Sequence, residues 1–336
     1  MNQGRPPVEA AVAEVPASTA NLGPGFDTLA MALELRVRVV LRWVDAPGPQ
    51  APAWPPRLVS AQVLGEGAGG LPTDASNRVW QAALRLFEAI EPPSWAVGRA
   101  VSLEEENLIP LAAGLGSSAA AAVGGLWAAN ALCGTPLAYR RLLDMAASME
   151  GHADNAAAAA LGGLVACARY GERVEAIRVP MPRGELVAVV AVPQRQLPTE
   201  AARRALPTGV AFGEAVASVG GCALTLAALT TGRWEALKEA MASDRLHQPY
   251  RRALVPGLDE AMEAALQAGA FGAALSGAGP SVLAFSRPHL ADEVGRAMVR
   301  AFASRGEAAR RMTLQPAAEG VRVKTLGYGG ERQGTG

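Results

Sequence analysis

The stretch Pro110-Leu111-Ala112-Ala113-Gly114-Leu115-Gly116-Ser117-Ser118-Ala119-Ala120 decides the fold. It leads from a glycine-rich loop into Ser117–Leu132, almost pure Ala, Val, Leu and Gly, which reads as a helix buried on most sides. A glycine loop that opens a helix is an anion site. Free backbone N–H groups and the positive end of the helix dipole point the same way there. Gly114 and Gly116 let the backbone approach a ligand closely. Ser117 and Ser118 add hydroxyls that can donate to phosphate or ligate Mg2+, so a triphosphate suits the loop. The letters G-L-G-S-S-A also match the dinucleotide fingerprint, which needs a strand before it and an acid about 20 residues later. Here Pro110 precedes it, and the next acid is Asp144. The Walker A pattern is absent, as are the H-R-D and D-F-G triplets of protein kinases. Taken alone, the loop reads equally well as a tight helix–loop packing turn.

Two further glycine clusters flank it at a distance: Ala17-Ser18-Thr19-Ala20-Asn21-Leu22-Gly23-Pro24-Gly25-Phe26-Asp27 and Leu275-Ser276-Gly277-Ala278-Gly279-Pro280-Ser281. Between them, apolar periodicity predicts strands over Leu33–Val44, Arg57–Leu64, Ala100–Glu106, Leu164–Cys167 and Leu186–Val192. It predicts helices over Ser76–Ile90, with Ser76 as N-cap, and over Leu137–Glu150, with Pro136 in the first turn. A buried helix starts at Ala156–Ala160. Further helices are expected over Val210–Thr230, Trp234–Ala242, Leu258–Ala268 and His289–Ser304, and Phe271–Leu275 with Val282–Phe285 reads as strand–turn–strand. The proline-rich 46–57 segment reads as a loop insertion. Strands and helices mix without strict alternation, which favours an α+β fold.

The chain has 336 residues, half of them apolar and 18% charged, with a net charge of +0. That length supports about two domains, and the apolar content excludes intrinsic disorder. No basic footprint for nucleic acid or an anionic membrane is visible. Nearly all positive charge is arginine, with lysine only at Lys238 and Lys324. Cys133, Cys167 and Cys222 are widely spaced, so neither a disulfide framework nor a structural zinc site is expected. No basic-then-apolar leader opens the chain, and apolar windows such as Ala119–Leu132 are too short or too glycine-broken to span a bilayer. A soluble cytoplasmic protein is the expectation.

Together, the three clusters resemble the signature motifs of the GHMP kinase superfamily, in which P-x-x-x-G-L-G-S-S-A-A is the ATP phosphate loop. The resemblance runs from residue 9 to about residue 315. It implies a two-domain α+β kinase with the active site between the domains. A ribosomal protein S5 domain 2-like N-terminal domain would occupy 9–170 and a ferredoxin-like C-terminal domain 171–325, with flexible tails at 1–8 and 326–336. Four segments are similar to the homoserine kinase branch: VPASTANLGPGFDTL in the first cluster, Glu150-Gly151-His152-Ala153-Asp154-Asn155, Leu197-Pro198-Thr199-Glu200-Ala201-Ala202-Arg203, and Asp244 through Arg251.

The resemblance implies ATP and Mg2+ as cofactors and L-homoserine as substrate, in threonine biosynthesis. Chemistry agrees. A small zwitterion needs guanidinium for its carboxylate, which Arg203 and Arg251 supply, and a carboxylate for its ammonium, which Asp27 supplies. Asn21, His152, Asp154 and Thr199 complete the polar pocket in the resembling enzymes. Each also has a structural reading: Asp27 as N-cap of a helix Thr28–Leu35, His152 as a satisfied core histidine, and the arginines, beside Arg204 and Arg252, as a solvated basic face. Glu150, at a predicted helix end, is the expected Mg2+ ligand, with Ser117 or Ser118 sharing the ion. Pro110, Gly114, Leu115, Gly116, Ser117, Ser118 and Ala119 would hold the phosphates, and Asn77 and Val79 match the family's adenine slot. Asn155 stands where mevalonate-type relatives place an aspartate base. An amide cannot take a proton, so catalysis without a dedicated carboxylate base is expected, with Asp154, Asn155 and Glu150 orienting the reactants. The chain departs from the branch at Ala113 (often arginine), Ala153 (usually proline) and Ala30 (commonly glycine). Two alternatives remain: a kinase for another small alcohol, or a catalytically silent nucleotide binder. A homodimer is common in the family, although no interface stripe stands out in the sequence.

Overall fold

The computed structural model describes residues 8–46, 54–182, 184–327 and 330–332. Most of the 46–57 insertion, and the end segments 1–7 and 333–336, lie outside the described residues.

Two sheets build the molecule. The first half of the chain supplies strands β1 (Ala10–Asn21), β2 (Gly25–Asp45), β3 (Leu58–Gly65), β4 (Arg99–Asn107), β5 (Leu164–Tyr170) and β6 (Arg173–Val179). Four helices accompany them: α1 (Arg78–Glu88), α2 (Ser117–Leu132), α3 (Tyr139–Glu150) and α4 (Asp154–Leu161). The second half supplies β7 (Val187–Pro193), α5 (Thr199–Arg204), α6 (Phe212–Thr231), α7 (Leu237–Ala242), α8 (Gln248–Arg251), α9 (Leu258–Gln267), β8 (Gly272–Leu275), β9 (Val282–Ser286), α10 (Ala291–Ser304) and β10 (Ala309–Leu314). The chain then returns as β11 (Arg322–Gly327) and β12 (Gly330–Arg332).

The larger sheet has the order β12-β11-β1-β2-β4-β3, with β5 and β6 branching from β2. β2 is 21 residues long, far beyond the expected Leu33–Val44. Its inner half, Leu29–Leu33, is buried, so it lacks the alternation by which a half-exposed strand is recognised. That half pairs with β5 (Leu29 opposite Ala166), and the outer half pairs with β4 (Leu41 opposite Leu103). The smaller sheet is antiparallel with the order β10-β7-β9-β8. With α9 and α10 packed on it, this is the expected ferredoxin-like arrangement. β6 lies beyond residue 170 yet belongs to the larger sheet, as do β11 and β12, so that layer draws on both ends of the chain. The expectation of a flexible 326–336 tail is corrected over its start: β12 pairs with β11, Leu326 opposite Glu331.

α2 fills the centre of the larger layer, packed between α1 and strands β1 and β2. It is apolar on every side because no face meets solvent. Gly125 is required there: a Cβ would stand 2.2 Å from the carbonyl oxygen of Val79 on α1. Two helix starts differ from expectation. α1 is capped by Asn77, whose Oδ1 accepts the N–H groups of Val79 and Trp80, while Ser76 turns to Asp74. α3 begins at Tyr139, so Pro136 precedes its first turn.

Candidate active site

The layers meet where the three glycine clusters converge. Gly277 N–H donates to the Ala20 carbonyl at 3.1 Å, and Leu197 N–H to that of Ala112 at 3.2 Å. Ser276 Oγ donates to the Gly114 carbonyl at 2.7 Å. Asn21 Nδ2 donates to the Gly277 carbonyl at 2.9 Å while its Oδ1 accepts Asp27 N–H at 3.1 Å. These bonds close a cleft over α2. Along it lie Asn21, Asp27, Gly114 to Ala119, Glu150, His152, Asp154, Asn155, Thr199, Arg203 and Arg251.

One end is built for anionic phosphate. Gly116 stands at the N-cap of α2 with φ +71°, and no side chain caps that helix. The N–H groups of its first turn therefore face the cleft with the positive end of the helix dipole. Glu150, at the end of α3, accepts the Ser118 hydroxyl at 2.9 Å and Arg78 Nη2 at 2.5 Å on the same oxygen, Oε1. Among the described residues no group of three His, Cys, Asp or Glu side chains could hold a metal unaided. One carboxylate, a serine hydroxyl and phosphate oxygens are a hard-oxygen set, which suits Mg2+ and similar oxygen-seeking divalent ions such as Mn2+.

The other end is built for a small zwitterion. Arg203, carried by α5, forks onto Asp27 with Nη2–Oδ1 at 2.8 Å and Nη1–Oδ2 at 3.1 Å. Arg251, 2% exposed, donates to the carbonyls of Gly277 (3.1 Å) and Ala202 (3.3 Å). Burial, with Arg203 adding, depresses its pKa to about 10 against the pull of Asp27, Asp244 and Asp154. The Phe26 ring lies 5.7 Å from the Arg203 guanidinium and 5.3 Å from that of Arg251, and stacks on His247 at 5.3 Å. His247 is fully buried, donates its Nε2–H to the Gly23 carbonyl (2.8 Å), and is held neutral by burial, although Asp244 pulls the other way. Two converging guanidiniums and one carboxylate match an amino acid's two charges.

Between the ends lies the pair His152 Nδ1–Asp154 Oδ1, 2.7 Å apart. Burial opposes charge on His152, but the hydrogen bond and charge of Asp154 outweigh it and raise its pKa. Burial likewise opposes charge on Asp154, yet His152, the Asn155 N–H and Arg203 together lower its pKa. Asp154 Oδ1 also accepts the Asn155 backbone N–H at 2.7 Å. Asn155 in turn accepts the Ser18 hydroxyl at 2.8 Å on its Oδ1.

Three expected site residues lie elsewhere. Pro110 is buried beneath the loop and does not line the cleft. Val79 is fully buried in the core. Asn77 spends its whole amide on structure: besides capping α1, its Nδ2 donates to the Pro72 carbonyl (3.0 Å) and to Glu105 (3.0 Å). Neither Asn77 nor Val79 has a free face for adenine. Asp27 begins no helix; it lies in β2 with φ +54°. Sequence reasoning missed Ser18, Phe26 and His247. Each stood inside a quoted motif, but its role depends on contacts 137 to 224 residues away or on ring stacking.

A phosphate loop facing a polar acceptor pocket across two layers defines a small-molecule kinase of the GHMP class, and the matching family models agree. "GHMP kinases N terminal domain" covers residues 77–163 and "GHMP kinases C terminal" covers 225–304. A homoserine kinase of Moorella thermoacetica is 43% identical over 309 residues, covering 92% of this chain and 98% of its own. The crystal structure of homoserine kinase from Cytophaga hutchinsonii superposes with a TM-score of 0.80 at 31% identity, over 94% of this chain and 97% of that one. A putative homoserine kinase from Listeria monocytogenes gives 0.69 at 30% identity, over 93% and 98%. The chain belongs to the homoserine kinase family.

Proposed function

We propose that the protein transfers the γ-phosphoryl group of ATP to the side-chain hydroxyl of L-homoserine, giving O-phospho-L-homoserine for threonine biosynthesis. The observation that carries this reading is the pairing of Arg203 with Asp27 beside Arg251, in the same cleft as the α2 N-terminus. The substrate carboxylate binds Arg251 and Arg203, and its ammonium takes Asp27. Arg203 and Asp27 are paired with each other, and the zwitterion's carboxylate and ammonium can take the place of each partner.

The α2 N-terminus and the Gly114–Ser118 backbone hold the triphosphate. Glu150 and Ser118 would hold Mg2+, which would neutralise triphosphate charge. Asn155, oriented by Ser18, directs the hydroxyl toward the γ-phosphorus. The bond from that oxygen to phosphorus forms as the bond to the bridging oxygen of ADP breaks, and the hydroxyl proton leaves to solvent. Asp154 does not take it: His152 and the Asn155 N–H already occupy its Oδ1, and its lowered pKa makes it a weak base. Positioning and charge neutralisation supply most of the rate in such loose transfers.

A coupled ADP-release assay tests the reading. Turnover stimulated by L-homoserine, with none from mevalonate or galactose, supports it; ADP release indifferent to every alcohol makes the chain a nucleotide binder.

The three cysteines carry free thiols, which supports a cytoplasmic site of action. Among the described residues, one helix, α6, is long and apolar enough to cross a membrane by length and composition, with 28% of its apolar window buried. Its inner face packs on α7 and β2. Its outer face exposes Phe212 (85%), Val219 (69%), Leu224 (58%) and Val216 (54%). Its single charged side chain, Glu214, accepts the Ala211 N–H at the helix start. An exposed apolar face with a single charge at its start suits an isologous contact with a second copy of this chain, so we read α6 as part of a homodimer interface.

A further inference from the structure

Arg78 carries a role that no part of the reading above uses. It is the first residue of α1, and it reaches across to the end of α3, where Nη2 donates to the Met149 carbonyl at 2.7 Å and to Glu150 Oε1 at 2.5 Å. The Ser118 hydroxyl shares that same Glu150 oxygen. The guanidinium therefore stands two hydrogen bonds from the first turn of α2. The Glu150 side chain is 7% exposed, so Arg78 is its principal counter-charge rather than a solvent-screened neighbour. Arg78 Nε is enclosed and without a hydrogen-bond partner.

We propose that Arg78 is a positioning residue that holds Glu150, so that a divalent cation binds there only together with the triphosphate. A free cation must share a single carboxylate with a guanidinium already on it, and like charges at that distance repel. A cation arriving with ATP brings several negative oxygens of its own, which offset the repulsion from Arg78. Arg78 also keeps Glu150 from repelling the incoming triphosphate. The proposal rests on Glu150 being the cation's carboxylate ligand.

The test is Mn2+ binding to the nucleotide-free protein, followed by electron paramagnetic resonance. Arg78→Gln, or Arg78→Met as a second neutral variant, is expected to bind Mn2+ about tenfold more tightly than the wild type, while Arg78→Lys, which keeps the charge, stays near it. A purely structural role predicts the reverse, weaker binding in both neutral variants. Unchanged or weakened Mn2+ binding in folded Arg78→Gln and Arg78→Met overturns the proposal. Glu150→Gln separates the two levels. If it leaves the Mn2+ affinity of Arg78→Gln untouched, the ligand assignment itself fails and the proposal with it; if it abolishes the gained affinity, both stand.

Discussion

Gly116→Ala is the perturbation in which loop geometry, stability and catalysis are most tightly joined. Gly116 has φ +71°, and a Cβ there would stand 2.1 Å from Ser18 Oγ and 3.1 Å from Asn155 Oδ1. A left-handed alanine costs about 1–2 kcal/mol, and relieving the overlap with Ser18 adds about 1–3 kcal/mol, as overpacking does. The displaced group is the hydroxyl that orients Asn155, so the variant should lose activity as well as stability. A shift of about 1 Å in a positioning group lowers kcat up to about 100-fold, so a loss of about 10- to 100-fold is expected, with the KM for homoserine changed less. Ser18→Ala removes the same hydrogen bond without a clash and should cost about 1 kcal/mol of stability. The decisive sample is Gly116→Ala/Ser18→Ala. Deleting Oγ makes room for the new Cβ, so the double variant should be more stable than the sum of the singles by about 1–2 kcal/mol, within the usual range for touching residues. Denaturant unfolding gives the stabilities, and a coupled ADP-release assay gives kcat and KM. Additive stabilities, or Gly116→Ala with wild-type kcat, would refute the argument that Gly116 exists to admit Ser18 and seat Asn155.

Other predictions follow from the same geometry. Asp27→Asn should raise the KM for homoserine by about 10- to 100-fold, since it removes the ammonium's partner, and leave that for ATP near wild type. Because the Asp27 and Arg203 side chains are both about a third exposed, the loss of stability should stay below about 1 kcal/mol. Glu150→Gln should raise the Mg2+ concentration needed for half-maximal rate and lower the melting temperature, because Arg78 loses its nearly buried counter-charge. The two histidines should give opposite pH signatures. The His152 pKa is raised in the folded state, so its stabilising contribution is complete below its ordinary value of 6.5 and is lost as pH rises through the raised one. His152→Gln should flatten the alkaline side of the wild-type stability profile. The His247 pKa is lowered, so its contribution is lost as pH falls below 6.5, and His247→Gln should flatten the acid side. Val219→Glu on α6 should shift the sedimentation behaviour toward a monomer without changing kcat per chain; an unchanged assembly would remove α6 from the interface.

Much of the site was legible in the amino-acid order because its parts are local. The phosphate loop, its glycines and the helix they open form one contiguous run, and a helix N-terminus binds anions wherever it stands. The motif containing Glu150, His152, Asp154 and Asn155 is likewise short, and α2 and α4 were recognisable from their apolar runs. The inner half of β2 was not, since burial on both faces erases the alternation that marks a strand. Asn77 shows the limit of matching letters. The same amide that suits an adenine is, in this fold, spent on capping α1 and on Glu105. Sequence alone settled the chemistry each segment can offer, because side-chain charge and helix-end polarity are properties of the segment. Only the tertiary structure decided which segments share a cleft, which guanidinium faces which carboxylate, and that Phe26, Ser18 and Arg78 belong with them. Those are contacts between residues far apart in the chain, and they exist only once the two layers close on each other.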